Sequence, residues 1–148
     1  MFQVTAMNTR QNPAAAYAVV GLETGIPNAN PHRLVLMLFD GALVAIATAS
    51  RHLRDKDVDG IARKGASISK AIDIITNGLK ASLDVQAGGE FAERLAALYD
   101  YMCARLLHAN MKNDLAALDE VGHLLGEIRG AWEEIADDPA VLSSNRAA

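Results

Sequence analysis

The chain is 148 residues long with a net charge of −4, and 51% of it is hydrophobic while only 5% is aromatic. That length suits one domain with a real core and is short for two. No segment is dominated by Lys or Arg, so the electrostatic footprint of a nucleic-acid binder is missing, and the Ala- and Leu-rich apolar content favours packed helices over a β-sandwich.

A single cysteine, Cys103, excludes an internal disulfide framework and fits a reducing compartment. The chain opens without a basic stretch followed by an apolar one, so no secretory signal is visible. The densest apolar run, 34–49, is interrupted by Asp40 and Gly41 and is short for a membrane span. These features predict a soluble cytoplasmic protein without stable membrane insertion.

Residues 1–11 are polar and aperiodic. Asn12-Pro13 pairs a capping residue with a proline at the first helical position and predicts a short helix over 13–22. Residues 1–29 are accordingly expected to be a flexible segment carrying that short helix. Asn30-Pro31 repeats the signal and opens a long helix to about residue 53, with Val35, Phe39, Ala42, Ile46, Ala49 and Leu53 as its buried stripe. The charged stretch 54–59 is a turn. A second helix over about 60–83 carries Ile61, Gly65, Ile68, Ile72, Ile75, Leu79 and Leu83.

Gly88-Gly89 marks the next turn. The third helix, about 90–110, carries Phe91, Leu95, Leu98, Met102, Leu106 and Ala109. Asn113 or Asp114 caps a fourth, about 115–136, with Leu118, Val121, Leu125, Ile128, Trp132 and Ile135. Pro139 ends it, and 139–148 reads as a disordered tail. No alternating run of β-branched residues competes with this pattern. The predicted fold is all-α: an antiparallel up-and-down four-helix bundle over 30–138 with a short N-terminal helical segment.

Little in the chain carries catalytic chemistry, and no cofactor or enzyme activity is expected. A di-iron bundle needs two Glu-x-x-His pairs plus two further glutamates facing inward. Only Glu120 and His123 occur in that spacing, and His123 points away from the stripe. His32, His52 and His108 sit near helix ends, where a cationic histidine at a C-terminus has an ordinary explanation. There is no Walker-type loop and no nucleophile elbow.

Apolar side chains off the core stripes are more informative. Leu36 and Leu43 share a line on the first helix with Asp40, Ala47 and Arg54. Ile74 falls nearly opposite Ile72 and Ile75, while Tyr99, Cys103 and Leu107 form a second flank on the third helix, as Leu124 does on the fourth. Singly, each is an ordinary side chain of a broad stripe. Together they predict apolar grooves that accept helices from another chain.

The blocks that lie along these helices resemble the flagellar secretion chaperone family FliS. They are the run from Asn30 through Leu36-Met37-Leu38-Phe39-Asp40-Gly41-Ala42, then Lys70-Ala71 with Ile74-Ile75. Leu98-Tyr99-Asp100-Tyr101-Met102 with Arg105 and Asn110 follows, and last Asn113-Asp114 leading to Glu120, Arg129 and Trp132. Two features depart from the pattern: Phe39 stands where a tyrosine is frequent, and the link from Tyr17 to Pro31 is longer than in many members.

The resemblance implies a cytoplasmic bundle that holds the carboxy-terminal segment of flagellin, prevents premature polymerisation and presents the cargo to the export gate, with FlhA as receptor. Tyr17 matches a family tyrosine in a segment that covers part of the binding surface and is implicated in the gate contact. Expected partner-binding residues are Tyr17, Leu36, Leu43, Ile74, Tyr99, Leu107 and Leu124. A self-associating structural or regulatory module, such as a homodimer built through the same grooves, is the alternative.

Overall fold

Asn30 starts the first helix as its sequence suggests: its side chain accepts from the Arg33 N–H at 2.8 Å, and its carbonyl takes the Leu34 N–H at 2.9 Å. In the computed structural model, which describes residues 30–55 and 58–135, four helices follow in chain order. They are α1 (Pro31–Asp55), α2 (Val58–Asp73, continuing as a π-helical stretch Ile74–Lys80), α3 (Val85–Lys112) and α4 (Leu115–Glu134). The expected helix over 13–22, Tyr17 and the tail 139–148 lie outside the described residues.

The helix boundaries have local causes. Asp84 caps α3 by accepting from the Ala87 N–H at 3.0 Å. One turn later the chain kinks at Gly89, which takes φ +56°, a left-handed value that glycine adopts without a Cβ penalty. The turn expected at Gly88-Gly89 is therefore this kink within α3. At the far end Asn113 adopts the left-handed conformation that closes α3, and Asp114 caps α4 through the Ala117 N–H at 3.3 Å. The two candidate caps thus divide the two tasks.

Side-chain bridges fix the helix directions. Along α2 and α3, Lys80 meets Asp100, Thr76 meets Cys103 and Lys64 meets Asn110, so one number rises as the other falls. Arg105–Glu120 and His108–Asp114 run the same way between α3 and α4, as do Asp40–Arg129 and Arg54–Asp119 between α1 and α4. Short links and these pairings make an antiparallel up-and-down bundle. Its centre is Phe39, Ile68, Ile75, Met102, Leu106, Leu118, Val121 and Leu125, each essentially sealed from water.

By length and composition α1 would also suit a membrane. Here it is the central core helix, with Leu38, Phe39, Ala42, Ile46 and Ala49 all buried. At its start the buried His32 ring stacks on Trp132 (centroids 4.6 Å apart, planes within 8°), and the indole N–H donates to the His32 carbonyl at 3.0 Å. That clasp joins the first turn of α1 to the last turns of α4.

Two expectations about exposure are corrected. Ile74 and Tyr99, read as spare surface residues, are interior at 7% and 3% exposure. The π-helical stretch widens the turn, so residues four apart align, and both Ile74/Gly78 and Ile75/Leu79 face inward. Ile74 lands against Gly41 of α1, where a Cβ would stand 3.4 Å from its Cδ1. Conversely Phe91, Ile61 and Ile135, placed in the core by periodicity, are exposed. Phe91 lies nine residues before Asp100, the position level with the end of α2, so it overhangs by about 13 Å at 1.5 Å per residue.

Candidate partner-binding surface

Most polar side chains that reach between helices are already committed. Lys64, itself buried, donates to the Asn110 carbonyl at 2.8 Å and to the Asn113 side chain, placing a cation at the carbonyl end of α3. Arg129 bridges Asp40 at 2.5 Å and Glu133 at 2.6 Å. Glu120 accepts from the Tyr101 hydroxyl and from Arg105 Nε at 2.7 Å. These two bonds, the tyrosine first, hold its carboxyl below the ordinary carboxylate value. The same bond pushes the Tyr101 hydroxyl up, and burial raises that of Tyr99. Glu120 is thus tied to α3, while His123 Nε2 lies 2.9 Å from Glu127 on the outer face, so the Glu-x-x-His spacing brings no joint site. Among the described residues no group of three or more His, Cys, Asp or Glu could hold a metal ion.

Two clefts with apolar walls and polar edges remain open. A cleft of about 440 Å³ runs between α1 and α4, with Leu43, Ile46 and Ala47 on one wall and Leu118 and Gly122 on the other. Gly122 shapes it: a Cβ there would stand 3.7 Å from the Ile46 side chain. Arg54 and Asp119 close the lower end. A second cleft of about 510 Å³ opens at that end of the bundle, lined by Leu53, Ile61, Asn113 and Leu115, and Arg54 again forms its edge. The two clefts thus share Arg54 as a common lining residue. On the α2–α3 edge Leu107 is half exposed and Met111 largely so.

The chain matches the family described as Flagellar protein FliS over residues 13–139. It belongs to the FliS family. It is 51% identical over 120 residues to the flagellar secretion chaperone FliS of Salmonella typhimurium, covering 81% of this chain and 87% of the relative. The corresponding protein of Escherichia coli is 45% identical over 127 residues (86% and 91% covered). The chaperone FliSB of Pseudomonas aeruginosa is 43% identical over 119 residues (80% and 91%). FliS is a chaperone family, and the residues that carried the resemblance can now be seen at work. Asp40, Arg129 and Trp132 tie α1 to α4, Tyr101 and Arg105 tie α3 to Glu120, and Asn113-Asp114 makes the last turn.

The residues singled out for partner contact separate into groups. Leu43 lines the α1–α4 cleft, and Leu36, seven residues earlier, lies on the same line; both are half-buried. Leu107 is exposed on the α2–α3 edge, four residues on from Cys103, whose Sγ lies 3.4 Å from the Thr76 hydroxyl. Leu124 is half-buried on the α3 side of α4, one turn beyond Glu120. Ile74 and Tyr99 belong to the core and are not available in this fold. Sequence reasoning did not select Ala47, Gly122, Val58, Ile61 or Met111. Ala47 could have been found, since it follows Leu43 by one turn on the same line.

Proposed function

We propose that this protein is a cytosolic export chaperone, without enzymatic activity, that holds the C-terminal segment of flagellin. Held in this way, flagellin does not polymerise early and is delivered to the flagellar export apparatus, with FlhA as the receptor. The observation that supports this best is the pair of clefts, one at Leu43 and Ala47 and one at Leu53 and Ile61, that share Arg54 in a chain of the FliS family.

Magnitudes favour a track over a pocket. Ordering about 20 residues of a disordered tail costs roughly 20–40 kcal/mol of backbone entropy. At about 25 cal/mol per Å², offsetting that takes on the order of 1,000 Å² of apolar burial. One cleft cannot supply it; a guest laid along the α1–α4 groove, around the end and onto the Leu107 edge has the necessary length. The segment around Tyr17 is proposed to cover part of this surface until cargo arrives.

Isothermal titration with a flagellin C-terminal peptide, paired with circular dichroism, tests the proposal. A one-to-one complex with gained helicity is expected. Absence of any complex at tens of micromolar peptide would sink it. Light scattering on the free protein separates the alternative of a self-associating module, which predicts a dimer that peptide does not dissociate. Removing residues 1–22 should leave tail affinity unchanged or tighter.

A further inference from the structure

Arg54 lines both clefts and is the one residue they share. Its ion pair is the loosest in the bundle: its guanidinium is 3.8 Å from Asp119, and both side chains are 59% exposed. Arg129, Arg105 and Arg94 each sit within 2.5–2.7 Å of a carboxylate. A pair as open as Arg54–Asp119 contributes little to the fold.

From this position we infer that Arg54 selects for a carboxylate in the guest, at the point where the bound segment passes from the α1–α4 groove to the end cleft. The inference rests on the chaperone reading above and adds a chemical requirement to it. A guest that follows both clefts covers Arg54 on two sides. A wholly apolar guest would strip water from the guanidinium and leave it with a carboxylate 3.8 Å away, which is unfavourable. A guest carboxylate placed there forms the forked pair that arginine geometry favours, in a site the guest itself makes drier and electrostatically stronger. Asp119, already at arm's length, is displaced at little cost.

The preferred guest is therefore an apolar, helix-forming flagellin segment with one carboxylate between its two apolar stretches, or ending in its own α-carboxylate at that point. The partners required are already present: apolar walls at Leu43 and Ala47 before the turn, Leu53, Ile61 and Leu115 after it, and one loosely held cation between.

The test is titration of the full chain with a flagellin C-terminal peptide in three forms: the free acid, the C-terminal amide, and versions with each Asp or Glu changed singly to its amide. Arg54→Gln should weaken the free-acid peptide about tenfold, and Asp119→Asn should tighten it about threefold by releasing Arg54. One peptide change, either the terminal amide or one side-chain amide, should cost wild type the same tenfold and cost Arg54→Gln nothing; which one it is identifies the carboxylate. Equal affinity for wild type and Arg54→Gln, or equal losses in both proteins for every peptide, overturns the inference. If that happens while Ala47→Glu still blocks the peptide, the groove stands and only the role of Arg54 falls. A wild-type protein that binds no form of the peptide refutes the chaperone reading and this inference together.

Discussion

Ala47 offers the cleanest separation between folding and holding. It lines the α1–α4 cleft, yet its side chain is exposed and closes no part of the core. In the free protein, Ala47→Glu puts a carboxylate into water on a helix surface, with Arg51 four residues on to accept it. Its effect on stability should stay within about 0.5 kcal/mol. A guest lying in the cleft changes that. The new carboxylate must then lose water against apolar walls, a cost of about 2–3 kcal/mol even with partial relaxation. This corresponds to roughly a 30- to 150-fold rise in Kd. Leu43→Asp is the contrasting variant. Leu43 is half-buried and packed on the core, so it should lose binding and also about 1–2 kcal/mol of stability. Urea unfolding and titration with a flagellin C-terminal peptide read the two quantities separately. Wild-type affinity in Ala47→Glu would place the guest elsewhere and refute the reasoning, as would a stability loss matching that of Leu43→Asp.

Three further outcomes follow from the frame. Lys64→Met keeps the buried stem but removes the cation on the Asn110 carbonyl, and should lower unfolding free energy by about 2 kcal/mol at unchanged urea slope. Gly126→Ala and Gly130→Ala meet nothing within 4 Å among the described residues, so each should raise stability by about 0.5–1 kcal/mol, read as a higher melting temperature; a loss would mean that these positions are not open. Glu120→Gln tests the acid limb. The carboxyl of Glu120 is depressed in the fold below its ordinary 4.5, so its stabilisation is complete above that value and is lost as pH falls through the lower folded value. The variant should therefore show a shallower loss of stability below pH 4.5 than wild type, and parallel curves would refute the assignment.

The helices were legible in the sequence because their signals are local. Asn30-Pro31, the Gly88-Gly89 pair and Asn113-Asp114 each act within a few residues, and all three mark boundaries or a kink in the structure. Which apolar residues stay wet was less legible, because that depends on how far each neighbour extends. Phe91 is exposed because α2 stops level with Asp100, and no pattern within α3 encodes that overhang. Ile74 is buried at the start of a seven-residue π-helical stretch, where it faces inward together with Ile75, Gly78 and Leu79. A wheel drawn at 100° per residue places it wrongly by construction. The surface reading succeeded where the helix is regular and its neighbour is small: Leu43 faces Gly122, and the groove persists there.

That contrast bears on which substitutions alter function. The blocks most characteristic of the family build the frame: Asp40 and Trp132 clasp α1 to α4, while Tyr101 and Arg105 hold α4 to α3 through Glu120. The walls of the track are ordinary residues such as Ala47, Gly122, Leu43 and Ile61, with no signature of their own. A surface meant to receive an apolar helix needs shape and dryness, which small and aliphatic side chains supply, whereas joining helices in register needs directional bonds. Changes in the signature residues should therefore reach cargo through stability, moving affinity only as the folded fraction falls. Changes in the plain wall residues should move affinity in a protein that remains folded.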